Sequence, residues 1–105
     1  MEIHSTTSTV TVVRLVVDGR LDAEAAPALR DAIAAHIERG VVNLVVDLTS
    51  ISFVDSAGLA ALVSGMKRSR QAGGDLQLVR PTSTAAFRVF ELTQFDQIFR
   101  FVDPT

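Results

Sequence analysis

The sequence predicts an α/β fold in a single domain, residues 1–105. Three observations carry this. Runs of β-branched residues alternate along the chain with segments of helical periodicity. One run, Val41–Leu48 ("VVNLVVDL"), is apolar at six of its eight positions, as in a central strand covered on both faces. Hydrophobic residues make up 48% of the 105 residues and charged residues 21%, an ordinary globular balance with enough apolar material for one core.

Each element can be justified in order. Thr9–Val17 ("TVTVVRLVV") is rich in β-branched residues and reads as a strand, with a weaker strand near Glu2–Thr6. Asp18–Asp22 ("DGRLD") is turn chemistry. A helix follows, on which Ala26, Leu29, Ile33 and Ile37 recur at helical spacing. Pro27 suits its first turn, so the helix is expected to begin near Glu24, with Asp22 or Ala23 just before it, and to end at Gly40. Val41–Leu48 is the central strand and Thr49–Val54 a loop. The second helix carries an apolar stripe of Leu59, Leu62, Val63 and Met66. Lys67, Arg68 and Arg70 suit the negative end of its dipole, and Gly73-Gly74 terminates it. Asp75–Val79 is a short strand stopped before Pro81. Thr82 or Ser83 caps a third helix with Ala86, Val89 and Phe90 inward. Ile98–Val102 is either an edge strand or the start of a last helix.

Several function classes are disfavoured. A net charge of −2 provides no basic field for direct nucleic-acid binding. There is no cysteine, which excludes disulfides and thiolate metal sites. The opening "MEIHSTTSTV" lacks the basic and apolar regions of a signal peptide. Asp47 and Asp55 interrupt the most apolar region, so no membrane span is expected. A cytoplasmic location follows as an expectation.

The chemistry centres on Phe53–Leu59 ("FVDSAGL"), where Ser56 stands at a strand-to-helix junction. It can cap the helix, act as a nucleophile, or accept a phosphate. The nucleophile reading is poor. Val54 replaces the first glycine of a nucleophile elbow, and both histidines, His4 and His36, lie upstream, away from a triad geometry. A phosphate-binding loop fails, because Gly65-Met66-Lys67-Arg68-Ser69 lies within a helix with no glycine-rich loop before it. No His/Cys pattern offers a metal site. Asp47 at a strand end has the placement of a phospho-receiver acceptor, but no lysine follows Lys67; its plainer role is to hydrogen-bond the following loop. The protein is therefore expected not to be an enzyme and to need no cofactor.

The stretch from Val41 to Val79 resembles the core of STAS domains, in particular the bacterial anti-sigma factor antagonists. The shared features are a strand ending in Asp47-Leu48, the Asp55-Ser56-Ala57-Gly58-Leu59 helix opening, and Gly73-Gly74 before the next strand. Upstream, Gly19–Leu29 is similar to the family's Gly-x-Leu-Asp turn and first helix; downstream, Arg88–Asp103 resembles its closing segment. Gln94-Phe95 departs from the Gly-Leu of many relatives. The resemblance implies a STAS-like domain with a mixed four- to five-stranded sheet packed with three to four helices. It also implies an anti-sigma factor that is a serine kinase as partner. The unmodified antagonist binds that kinase and frees a sigma factor, and phosphorylation of Ser56 ends the binding. Asp22, Asp55, Ser56, Ala57, Gly58 and Leu59 are the implied partner-binding residues, on a monomer or weak dimer. Other family members are scaffold components or small subunits of lipid-transport complexes, which is the alternative for this chain.

Overall fold

Four aliphatic segments form strands, and a helix joins each to the next. In this computed structural model, which describes residues 1–4 and 11–104, the elements run β1 (Val12–Leu21), α1 (Ala26–Glu38), β2 (Asn43–Val54), α2 (Ser56–Gln71), β3 (Asp75–Val79), α3 (Thr84–Leu92) and β4 (Arg100–Val102), with a short 3-10 turn at Phe95–Gln97. The strands lie in sequence order, β1-β2-β3-β4, and every pair is parallel. A helix in each connection returns the chain to the edge where the last strand began, so each new strand points the same way. The single α/β domain is thus what forms. Among the described residues the sheet is parallel rather than mixed, with four strands and three α-helices. The weak strand near Glu2–Thr6 lies partly outside those residues, as do Thr9 and Val10.

Steady right-handed crossovers in one direction place successive helices on one face of a sheet. That face carries Leu44 and Val46 of β2 beside Leu76 and Leu78 of β3, all at most 1% exposed. Helix α2 lies so close to it that a Cβ on Gly65 would sit 2.7 Å from Ile33 Cδ1 of α1 and 3.0 Å from Leu76 Cδ1 of β3. Phe101 of β4, paired with Leu78, packs edge-on against Phe87 and Phe90 of α3 with ring centroids 5.6 and 6.1 Å apart. This resolves the C-terminal ambiguity: Arg100–Val102 is an edge strand, held by an aromatic cluster that favours such edge-to-face contacts. The opposite face is more open. Val12 and Val16 are exposed there, and Arg14 bridges the Asp47 carboxylate and the carbonyl of Pro104.

Two expected loops are strand. Asp18–Leu21 continues β1, and Thr49–Val54 continues β2 alongside it. The register shifts twice, between Val16 and Asp18 and between Gly19 and Arg20, because β2 has an extra residue at each place. Gly19, at φ +79°, supplies the left-handed backbone for an irregular ladder instead of a reversal. Helix α1 starts at Ala26, later than expected, while Gly40 ends it at φ +87°. Ser83, not Thr82, caps α3, its Oγ accepting from Ala86 N–H at 3.2 Å.

Candidate functional site

The extended β1–β2 ladder positions the site. Leu21 pairs with Val54, and the Asp55 N–H donates to the Leu21 carbonyl at 3.3 Å. The next residues, Asp22 and Asp55, therefore leave neighbouring strands at their carboxyl ends, where parallel α/β sheets hold functional loops. The structure brings together Asp22 and the Asp55–Leu59 segment, which the resemblance groups as partner-binding residues.

Asp22 organises the entry to α1. Its Oδ1 accepts from Glu24 N–H and Ala25 N–H, both at 3.1 Å, and its carbonyl accepts from Ala26 N–H at 2.8 Å. The Ala25 amide holds the Asp22 carboxyl below the usual carboxylate range; Arg20 and Glu24 reinforce this against a smaller desolvation. Its Oδ2 receives Arg20 Nε at 3.4 Å.

Asp55, rather than Ser56, is the N-cap of α2. Its backbone is extended (φ −122°, ψ −174°) and its Oδ1 accepts from Gly58 N–H at 3.0 Å. Ser56 is the first helical residue and is exposed. The correction matters chemically, because with a neighbour serving as the cap, the serine hydroxyl is not needed to hold the helix end. Asp55→Ala should cost about 1 kcal/mol of stability, while Ser56→Ala should change it by less than about 0.5 kcal/mol. Chemical denaturation of both variants checks the assignment; a reversed ranking would return the cap to Ser56.

The next three residues sink progressively. Ala57 is half-buried, and Gly58 and Leu59 are buried. A Cβ on Gly58 would land on the Leu21 carbonyl oxygen and 2.8 Å from Leu21 Cγ, so this glycine lets the helix start directly against the end of β1. Of the residues linked to partner binding by resemblance, Ser56 stands fully at the surface, Asp22, Asp55 and Ala57 are half-buried, and Gly58 and Leu59 support them from beneath.

Sequence reasoning missed two arginines. The Arg20 guanidinium lies 4.1 Å from the Phe53 ring centroid, a cation–π contact across paired strand positions. Arg14 binds Asp47, whose other oxygen accepts from Thr49 N–H at 2.9 Å as expected for a strand-end carboxylate. Burial pushes the Asp47 carboxyl upward, but Thr49 and Arg14 together more than offset it and the net shift is downward. Period-2 alternation through Val12–Arg20 would have put both arginines on one face, had Asp18–Asp22 not been read as a turn.

A groove of about 630 Å³ runs along α2 from Ser56 to Gln71, lined by Leu59, Ala60 and Val63 and by Phe95. Among the described residues no group of three His, Asp or Glu side chains could hold a metal, and no helix is long and apolar enough to cross a membrane.

A crossover-built sheet with an Asp-Ser-x-Gly-Leu helix opening at its carboxyl edge defines a class, and the STAS domain family model matches residues 4–105. The chain belongs to the STAS domain family. Within it, the chain is 36% identical over 85 residues to the anti-sigma-B factor antagonist of Listeria monocytogenes, covering 80% of this chain and 73% of that one. Among solved structures, a putative anti-sigma factor antagonist from Thermotoga maritima superposes with a TM-score of 0.78 at 26% identity, over 87% of this chain and 79% of that one. The phosphorylated form of the Bacillus cell-fate determinant SpoIIAA does so with a TM-score of 0.67 at 26% identity, over 95% and 88%. By sequence and structure the chain groups with the anti-sigma factor antagonists.

Proposed function

We propose that this protein is an anti-sigma factor antagonist switched by phosphorylation of Ser56. Unmodified, it binds an anti-sigma factor that is also a serine kinase, and so releases a sigma factor; phosphorylated, it lets go. The observation that carries the reading is an exposed serine at the first position of α2, relieved of capping by Asp55. The relatedness to proteins named as anti-sigma factor antagonists supports the partner class.

The energetics fit a switch that leaves the fold intact. A phosphate adds about −1.5 to −2 charge. At an exposed helix N-terminus an anion is stabilised by about 0.3–1 kcal/mol. Pressed against a partner without a matching cation, the same charge costs several kcal/mol, and each ~1.4 kcal/mol is tenfold in affinity. The interface penalty exceeds the helix-end gain. Asp55, the adjacent carboxylate, adds repulsion.

The test is to incubate the protein with the anti-sigma factor kinases of its host and ATP. Intact-mass and peptide mapping should show one phosphate, on Ser56, and Ser56→Ala should take none while melting like the wild type. The phosphorylated protein should bind the kinase at least tenfold more weakly, consistent with a desolvated charge. A phosphate on Ser52 or Ser64, or equal affinity of both forms, would replace the switch with a structural-subunit role.

A further inference from the structure

Among the described residues the outer edge of β1 carries no partner strand, since the sheet runs β1-β2-β3-β4 and Met1–His4 take no part in it. At ten residues this edge is long, and a bare edge of that length is a template for another strand. Its side chains alternate. Val12, Arg14, Val16, Asp18 and Arg20 are exposed on the more open face, and Val13, Leu15 and Val17 are half-buried on the helix face. On the helix side a trough of about 300 Å³ follows the edge between β1 and α1, lined by Leu15, Val17, Ala25, Ala28, Leu29 and Ala32. Val16 is 66% exposed. Among the described residues Asp18 pairs with no cation, and Arg14, though held by Asp47, has one Nη without an acceptor.

We propose that this edge is a self-association surface, on which two copies of the chain pair β1 against β1 about a two-fold axis at Val16. A two-fold contact uses the same patch twice, so the two identical strands run antiparallel. Side chains that stand opposite each other share a face, so the numbers of opposed residues add to an even sum. Centred on Val16, the strand is complementary to itself. The two Val16 side chains meet, and Arg14 stands opposite Asp18 of the other copy, a pair that recurs by symmetry. On the helix face Leu15 opposes Val17, so the two troughs join into one apolar cleft. Neighbouring registers lack this match. Centred on Leu15, the pairing sets Val12 against Asp18 and Val16 against Arg14, each valine facing a charge. Centred on Val17, it sets Arg14 against Arg20, two cations directly opposed, which is destabilising. The charge pattern thus selects a second copy of this chain, in one register. Asp22 and Ser56 of each copy lie beyond the paired segment, so self-association leaves them free and does not depend on the function proposed above.

The chain has no cysteine, which makes crosslinking a direct test. Full-length Val16→Cys should form a disulfide-linked dimer on oxidation, because residues directly opposite in an antiparallel pair lie about 4.5–5.5 Å apart at Cα, within disulfide reach. Val12→Cys, opposite Arg20, should not. Sedimentation across a dilution series should show a wild-type dimer. Val16→Glu and Asp18→Arg, both at exposed positions, should raise its dissociation constant about tenfold or more, since each change counts twice in a symmetric contact. Their circular dichroism spectra should match the wild type. Mixing Val16→Glu with Val16→Lys should restore a dimer containing one copy of each. A monomeric wild type overturns the proposal; if the outward amides of β1 then resist hydrogen exchange, residues 1–10 of the same chain are the occupant. A wild-type dimer that survives Val16→Glu, or in which Cys at 12 crosslinks as readily as Cys at 16, overturns it as well.

Discussion

Leu62→Ala is expected to destabilise the domain by about 2–5 kcal/mol, the range for a buried leucine that leaves a cavity behind. Leu62 is fully buried at the middle of α2, on the stripe that faces Leu44, Val46, Leu76 and Leu78. The neighbouring contacts are already close, as the position of Gly65 against Ile33 and Leu76 shows, so the site has little freedom to collapse and the upper half of the range is expected. A domain of this size is held by only about 5–15 kcal/mol in total. Urea denaturation should therefore show a large fall in midpoint with an unchanged slope. A loss under about 0.5 kcal/mol, the range of surface substitutions, would mean that α2 does not seat Leu62 in the core.

Gly58→Ala should cost about 3 kcal/mol, at the upper end of overpacking effects. The sign makes this a demanding test. In a helix free of contacts, alanine is more stable than glycine by about 0.5–1 kcal/mol. Here the added methyl would strike the Leu21 carbonyl, a backbone group anchored in the β1–β2 ladder that also accepts from Asp55 N–H. A flexible side chain could rotate away, but a strand carbonyl cannot. The variant should unfold at lower denaturant and carry a disturbed Asp55–Gly58 cap. A stabilised Gly58→Ala would show that α2 starts further from β1 than the structure places it.

Much of this was legible in the residues. The stripe of Leu59, Leu62 and Met66 and the strand at Asp75–Val79 follow from periodicity, because burial on one face leaves a regular trace; the apolar run Val41–Leu48 marked the central strand, of which Leu44 and Val46 are the buried members while Val45 is half-buried. The nearness of Asp22 to the Ser56 segment comes from the parallel pairing of β1 with β2. What periodicity could not reach were the departures from it. Asp18-Gly19 has the composition of a turn, yet the glycine's positive φ accommodates an irregularity within a continuing strand. Each extra residue in β2 moves the following side chains to the other face, so the alternation through Thr49–Val54 looks like loop. Capping was one of three readings open for Ser56, and it falls to the adjacent Asp55, which is equally favoured at caps; the extended backbone of Asp55 and its bond from Gly58 N–H distinguish them. Arg14 and Asp47 are 33 residues apart in sequence, and local pattern carries no information about which strands lie side by side.

Helix α2 is wedged at two glycines, one turned into the backbone of β1 and the other into side chains of α1 and β3. Helices that relay signals typically slide or rotate by about 1–2 Å against their neighbours. The two contacts lie about two turns apart; a slide toward β1 would press the helix at Gly58 onto the fixed Leu21 carbonyl, whereas at Gly65 the neighbours are side-chain ends of Ile33 and Leu76. A phosphate on Ser56, if the proposed switch holds, would therefore act at the surface that carries it. Its expected reader is a molecule that touches that surface, not the far side of the sheet.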